Sequence, residues 1–151
     1  MWGSNEFGQL GSNSDSTEVR KPFNLNCSAY FQDHKIIQVE CGKQFTMALT
    51  EKGEVYTWGQ NIHGELGLGN RVNTGKPTHV RSIDAKVKQI SAGSCHAAAL
   101  TEGGSVYTWG YGHKGRYEIS SKFLTLLVLV MEAKSQSMYL KKSRGFQRSL
   151  K

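Results

Sequence analysis

One block of sequence occurs twice at a fixed spacing, and this constrains the fold more than any other feature of the chain. The segment "VECGKQFTMALTEKGEVYTWG" (39–59) aligns with "ISAGSCHAAALTEGGSVYTWG" (90–110) at an offset of 51 residues, and 11 of the 21 aligned positions are identical. The identical positions include Gly42, Leu49, Gly53, Trp58 and Gly59, which recur as Gly93, Leu100, Gly104, Trp109 and Gly110. A period of this length indicates an architecture built from stacked copies of one supersecondary unit.

The repeat continues on both sides of this block. "WGSNEFGQLG" (2–11) matches "WGQNIHGELG" (58–67), and "KIIQV" (35–39) matches "KVKQI" (86–90). Lys21-Pro22 likewise matches Lys76-Pro77. The chain therefore carries the unit over most of its first 115 residues.

The unit has the pattern of short strands joined by glycine-containing turns. "FTMALT" and "EVYTWG" flank "TEKGE" (50–54), and the second copy has "TEGGS" (101–105) at the same place. A short connection with a glycine near its end predicts a β-hairpin, because glycine adopts the positive φ that the turn needs. "KIIQVECG" predicts a strand before the hairpin and "THVRSI" (78–83) predicts a fourth strand after it.

Four short strands in about 50 residues predict one four-stranded antiparallel blade of a β-propeller per repeat. Helical repeats would show apolar residues at i, i+3, i+4 and i+7 with few glycines, whereas glycines interrupt this chain throughout. A β-sandwich would not explain an identity that recurs every 51 residues. The sequence thus predicts an all-β fold, an incomplete propeller.

The formal charge of +7 belongs to the C-terminal part of the chain. Residues 1–110 contain 10 basic and 10 acidic side chains, whereas residues 111–151 contain 9 basic and 2 acidic ones. The repeated body therefore predicts no specific binding of nucleic acid, and only the tail is a candidate basic arm for an acidic surface.

The three cysteines, Cys27, Cys41 and Cys95, have neither zinc-finger spacing nor an even count for a disulfide framework. The N-terminus lacks the basic and apolar regions of a signal peptide. The longest apolar run, "FLTLLVLVM" (123–131), is far shorter than the about 20 residues that span a bilayer as a helix. We therefore expect an intracellular protein, cytoplasmic or alternatively nuclear, with no transmembrane segment and no bound cofactor or metal.

The repeated motif resembles the regulator of chromosome condensation repeat. The resemblance covers residues 1–115 and includes Ala-Leu-Thr-x-x-Gly-x-Val-Tyr-Thr-Trp-Gly and Asn-x-x-Gly-x-Leu-Gly. It implies a seven-bladed propeller with one repeat per blade. The family includes an exchange factor for the small GTPase Ran, HECT-type ubiquitin ligases, NimA-related kinases and many adaptor proteins.

The chain departs from the family pattern in three places. It begins inside a repeat at Trp2-Gly3, Phe45 stands where the motif has the histidine seen at His96, and the repeat stops after Gly115. The sequence thus predicts about two blades and part of a third over 1–115, as a fragment of a larger protein that supplies the missing blades. Residues 116–151 are expected to be a divergent basic tail, disordered or partly helical, either a native arm or an aberrant C-terminus. We expect such a fragment to be marginally stable on its own, because an open stack of blades leaves two unpacked faces.

The repeated residues are interpreted as scaffold. Trp58 and Trp109 suit packing between repeats better than an aromatic cage or a stacking platform. Cys95-His96 lacks the second ligand pair of a zinc site, and the resemblance makes His96 structural. The glycines Gly64 and Gly67 lack a phosphate-binding fingerprint and recur as Gly8 and Gly11, which favours a repeated turn. We find no catalytic constellation in the sequence and expect no enzymatic activity in the repeats.

Function is expected in the loop tips, where the repeats differ. We predict a non-catalytic protein-interaction module whose partner contacts include Asn61, Ile62, His63, Tyr111 and His113. The alternative hypothesis is guanine nucleotide exchange on a small Ran-like GTPase, which would then be the partner. That alternative depends on fold analogy alone.

Overall fold

Short strands form three antiparallel sheets in the computed structural model, which describes residues 1–12, 16–25, 29–31 and 34–111. The strands in these ranges are β1 (Gly3–Ser4), β2 (Glu18–Val19), β3 (Ile36–Cys41), β4 (Phe45–Thr50), β5 (Val55–Gly59), β6 (Thr74–His79), β7 (Val87–Ala92), β8 (His96–Thr101) and β9 (Val106–Gly110). A 3-10 turn at Ala29–Phe31 precedes β3, and the described ranges contain no α-helix.

The sheets follow one another along the chain. The first contains β1-β2, the second β3-β4-β5-β6 and the third β7-β8-β9, and every pair of neighbouring strands is antiparallel. The second sheet is a complete four-stranded blade, whereas the first and third hold two and three strands of a blade among the described residues. The prediction of an all-β, incomplete propeller is therefore confirmed.

Both predicted hairpins are present. β4 pairs with β5 from Leu49↔Val55 to Phe45↔Gly59, and β8 pairs with β9 in the same register from Leu100↔Val106. Gly53 and Gly104 have φ of +82° and +75°, which is the left-handed conformation that glycine adopts without steric cost. The 51-residue sequence offset thus corresponds to one blade.

The fourth strand of the blade differs from the sequence-based prediction. The sequence predicts it over 78–83, but β6 covers Thr74–His79. The nitrogen of Val80 bonds to the carbonyl of Val55, and the chain then turns towards β7. Because β6 is an edge strand, it tolerates Pro77, which has no N–H to donate.

Two hydrophobic cores lie on opposite faces of the second sheet. The larger core joins Phe45, Met47 and Leu49 of β4 to alanines and aliphatic residues of the third sheet. The smaller one joins Ala48 and Trp58 to residues N-terminal to β3, with Phe31 and Trp58 ring centroids 6.1 Å apart. Side chains alternate across a strand, so β4 packs on both sides and all six of its residues are buried.

The predicted domain boundary at residue 115 and the tail 116–151 lie outside the described residues. Within the ranges that the structure describes, no helix has the length and apolar character needed to cross a membrane.

Candidate partner-binding surface

The loop that joins β5 to β6 carries three of the predicted contact residues. It begins after Gly59, whose φ is +113°, and a Cβ there would lie 2.5 Å from the carbonyl oxygen of Gln44. The two backbone segments come this close because the nitrogen of Gln60 donates a hydrogen bond to that same carbonyl oxygen of Gln44. The loop therefore leaves the sheet in a direction that only glycine permits.

Asn61 organises this loop from the inside. Its side chain is fully buried, and its Nδ2 donates to the carbonyl oxygens of Asn70 and Val72 at 3.1 and 3.2 Å. Its Oδ1 accepts from the nitrogen of Leu66 at 3.0 Å. The structure thus makes Asn61 part of the scaffold, with no atom of its side chain open to a partner, and this corrects its prediction as a contact residue.

The correction has a sequence signal that the prediction overlooked. Asn5 stands at the matching position of the preceding repeat, and its Oδ1 accepts from the nitrogen of Leu10 at 3.1 Å. An asparagine that recurs with the glycine turn belongs to the turn, because its side chain satisfies loop backbone groups that no strand can pair.

The remaining predicted residues of this set lie on the surface. Ile62 and Tyr111 are 48% and 44% exposed, and His63 is partly exposed. The rings of His63 and Tyr111 have centroids 4.5 Å apart at an interplanar angle of 48°. The structure therefore brings together loops from the second and third sheets, and we call Ile62, His63 and Tyr111 the loop surface. His113 lies outside the described residues.

Two tryptophans hold the base of these loops in place. Trp58 is fully buried, and its Nε1 donates to the carbonyl oxygen of Gln9 at 2.9 Å. The Nε1 of Trp109 donates in the same way to the carbonyl oxygen of Glu65 at 2.7 Å. Each bond runs from one sheet to the glycine loop of the sheet before it, so each loop is fixed by its neighbour. A fully buried Trp58 offers no face for stacking on a ligand.

His96 and Phe45 occupy equivalent places beneath a glycine. A Cβ added at Gly93 would overlap the His96 ring, and one added at Gly42 would overlap the Phe45 ring. His96 is 8% exposed and Phe45 is 2% exposed. The common geometry assigns both rings to packing under the β3–β4 and β7–β8 turns.

Glu65 is a buried carboxylate that the sequence reasoning did not single out. It is 1% exposed, its Oε2 accepts from the nitrogen of His63 at 2.8 Å, and its Oε1 has no hydrogen-bond partner. At the matching position, Gln9 accepts from the nitrogen of Phe7 at 2.9 Å through Oε1 and donates to Ser4 through Nε2. In the sequence, the difference between Gln9 and Glu65 at matching positions of the two copies could have drawn attention to this carboxylate.

Titratable groups at the opposite end of the sheets have local partners. His34 Nδ1 lies 3.1 Å from Glu54 Oε2. Burial, and then the Glu54 charge, raise the pKa of Tyr56. Burial also raises the pKa of Tyr107, as does its hydrogen bond to Asp84. Burial and acidic neighbours both disfavour tyrosinate.

The described residues carry no arrangement with evident metal or catalytic chemistry. They contain no group of three or more histidine, cysteine or acidic side chains placed to hold a metal ion. Cys41 and Cys95 are free thiols, and Cys27 lies outside the described ranges.

Apart from the loop surface, exposed apolar side chains also lie along the edge strand β3. Ile37 and Val39 are 55% and 42% exposed and line an open groove with Met1 and Phe23. Alternation along β3 places these two side chains on one face. The sequence reasoning treated this strand as scaffold only.

Comparison with known proteins identifies the repeat. The model for the regulator of chromosome condensation (RCC1) repeat matches residues 1–49 and 52–100, and a second model of the same repeat matches 36–65 and 87–116. Together these matches cover every strand of the second and third sheets.

Individual relatives share the repeat but are longer. The ultraviolet-B receptor UVR8 of Arabidopsis thaliana is 33% identical over 122 residues, which is 80% of this chain and 27% of UVR8. The human E3 ubiquitin-protein ligase HERC2 is 38% identical over 117 residues, which is 76% of this chain and 2% of HERC2. The chain thus spans about a quarter or less of these curated relatives.

A solved structure shows the same fold. Prp20p of Saccharomyces cerevisiae superposes with a TM-score of 0.62 and 27% sequence identity, over 74% of this chain and 28% of Prp20p. Together with the two repeat models, the stacked sheets and their tryptophan bonds lead to one conclusion: this chain belongs to the regulator of chromosome condensation (RCC1) repeat family.

Proposed function

We propose that this chain is a non-catalytic protein-interaction module that binds a partner through the loop surface of Ile62, His63 and Tyr111. The contact between His63 and Tyr111 carries the proposal, because it joins exposed side chains from two sheets into one surface. Aromatic residues at the centre of a surface patch are typical anchors of protein interfaces.

The scaffold beneath the surface supports this role. The buried Asn61 side chain donates a hydrogen bond to the backbone of the loop. The hydrogen bond from Trp109 to the Glu65 carbonyl oxygen connects the same loop to the third sheet. A surface held in this way loses little conformational freedom on binding, which favours affinity. Relatives that share the repeat belong to proteins as different as an ultraviolet-B receptor and a ubiquitin ligase, which fits a module rather than an enzyme.

The test compares surface variants with a matched control. Ile62→Asp and Tyr111→Ala change the loop surface, whereas Lys52→Ala and Glu102→Ala change exposed hairpin residues at the other end of the sheets. Quantitative affinity capture from cell extract should show a protein retained by the parent chain and by both hairpin variants but lost with both surface variants. An identical set of captured proteins for all five chains would refute the proposal.

The second candidate is nucleotide exchange on a small GTPase. Prp20p of Saccharomyces cerevisiae binds Gsp1p and histones, so a GTPase is a reasonable partner class to test. Release of a labelled nucleotide from a Ran-type GTPase should stay at the uncatalysed rate with this chain, because no described residue has an assigned role in exchange. An accelerated rate would favour this candidate instead.

An intracellular location remains part of the proposal. The free thiols of Cys41 and Cys95 suit a reducing compartment. Imaging of the tagged chain in cells checks it.

A further inference from the structure

An exposed lysine is connected to the loop surface through the turns that precede β4 and β8. The nitrogen of Lys43 donates to the carbonyl oxygen of Ser94 at 2.8 Å, and the nitrogen of Tyr111 donates to that of the next residue, Cys95, also at 2.8 Å. These bonds join the turn before β4 to Tyr111 through two consecutive residues of the third sheet. Lys43 therefore lies close to the loop surface, and its side chain is exposed.

An exposed arginine lies beside the same surface. The Nδ2 of Asn61 donates to the carbonyl oxygens of Asn70 and Val72 at 3.1 and 3.2 Å. These two bonds fix Arg71, the residue between them, close to Ile62, which follows Asn61 in the chain. Arg71 is exposed, and Val72 is 68% exposed and adds an apolar side chain next to Ile62.

The two cations are not neutralised by carboxylates within the described ranges. Neither Lys43 nor Arg71 takes part in an ion pair there. The turns that precede β4 and β8 contain no acidic residue, and the loop between β5 and β6 contains Glu65 alone. Because Glu65 is 1% exposed, its carboxylate is not presented at the surface. The charged side chains exposed in these loops are therefore positive.

The turns at the opposite end of the same two sheets differ in charge. Their acidic residues are Glu51, Glu54, Asp84 and Glu102, and their basic residues are Lys52, Arg81 and Lys86. Both signs are thus mixed at that end. The uncompensated positive charge is a property of the end that carries the loop surface, and it favours a partner of negative charge.

We propose that the loop surface binds an acidic segment of a partner protein, an inference that rests on the proposed function. An apolar side chain of that segment packs on Ile62 and Val72, and carboxylates on either side of it face Lys43 and Arg71. An apolar centre with charges at its rim is the usual composition of a protein interface. Nucleic acid depends mainly on many contacts between cations and phosphates, which two exposed cations beside apolar side chains do not provide.

The first experiment selects peptides from a random library displayed on phage, with the full chain as bait. The selected peptides should be enriched in aspartate and glutamate next to an aliphatic or aromatic residue. Selection on the Lys43→Glu/Arg71→Glu double variant should lose this enrichment. Selected peptides without acidic residues, or no selected peptide at all, would overturn the inference.

The second experiment measures the affinity of the most enriched synthetic peptide by fluorescence anisotropy. Lys43→Glu and Arg71→Glu should each weaken binding about fivefold at low salt, and added salt should weaken binding to the parent chain through screening. Arg71→Lys keeps the charge and should bind like the parent. The matched controls Lys52→Glu and Arg81→Glu reverse exposed cations at the opposite end and should leave the affinity unchanged. Equal losses in the two sets of charge reversals would mean that the peptide responds to net charge alone, and the inference is then wrong.

Further variants separate this inference from the proposed function. If the selected peptides are lost with Ile62→Asp and Tyr111→Ala but are not acidic, the loop surface remains a binding site and only the acidic partner is rejected. If they bind these two variants as well as the parent, both proposals fail. Tighter binding of a labelled DNA duplex than of the peptide, with the same dependence on Lys43 and Arg71, would assign the surface to nucleic acid instead. The two cations lie in different loops and are reversed singly, so a folding defect in one variant, seen by circular dichroism, leaves the other as the test.

Discussion

The indole Nε1 of Trp58 donates a 2.9 Å hydrogen bond to the carbonyl oxygen of Gln9, although the two residues are 49 positions apart. Trp109 repeats the arrangement with Glu65 at 2.7 Å. Each bond connects a strand of one sheet to the glycine loop of the sheet before it. The repeated tryptophan is therefore the element that converts a repeat in sequence into a stack in space.

Trp58→Phe should destabilise the chain. The substitution removes the bond to Gln9 and leaves unfilled space in a fully buried site, at a cost of about 2–4 kcal/mol. Thr46 Oγ1 also donates to the Gln9 carbonyl, at 2.7 Å, which spares that oxygen from losing all its partners. Urea unfolding measures the change, and Trp2→Phe is the control because Trp2 is 66% exposed. Equal effects of the two variants would contradict the role of the interior bond.

Gly67→Ala should cost more stability than Gly64→Ala. Both glycines have positive φ, so either alanine pays backbone strain of about 1–2 kcal/mol. A Cβ at Gly67 would also lie 2.9 Å from Trp109 Nε1, whereas one at Gly64 meets nothing within 4 Å. The difference between the two variants isolates the tryptophan contact, and thermal unfolding of the pair measures it. Equal thermal unfolding midpoints for the two variants would show that Trp109 moves away from the added methyl group at no measurable cost.

The repeat made the strands and the hairpins predictable, because a 51-residue offset aligns equivalent positions of successive units. It did not reveal which residues of different units meet. The 4.5 Å contact between His63 and Tyr111 joins unlike positions of neighbouring sheets, and it depends on how the sheets stack. Asn61 was misjudged for a different reason: its recurrence as Asn5 in the preceding repeat was overlooked, although the sequence does not show that its side chain bonds the backbone of Asn70 and Val72. The start of β6 at Thr74 was missed because Pro77 and Gly75 have low intrinsic preference for strands, and pairing with β5 overrides that preference.

Glu65→Gln should stabilise the chain. The variant gives the buried, unpartnered Oε1 position an amide, as in Gln9, and removes a negative charge from the interior. A buried carboxylate costs more to remove from water than a neutral amide, so a gain of about 1 kcal/mol is expected. Urea unfolding at neutral pH measures it. The reciprocal change, Gln9→Glu, should lower the free energy of unfolding. If both variants were more stable than the parent, the side chains at positions 9 and 65 would have different environments.

Stability should decline in alkali as the partly buried Tyr56 ionises. Tyr56 has a pKa raised above its ordinary value of 10.0, by burial and then by the Glu54 charge. Between the unfolded and the folded pKa, the native state binds more protons than the unfolded state, so the free energy of unfolding falls as pH rises above about 10. The stabilising contribution is fully present below that pH. Tyr56→Phe should flatten this part of the pH profile, measured by urea unfolding at several pH values. A slope that persists in Y56F would assign the alkaline loss to other groups.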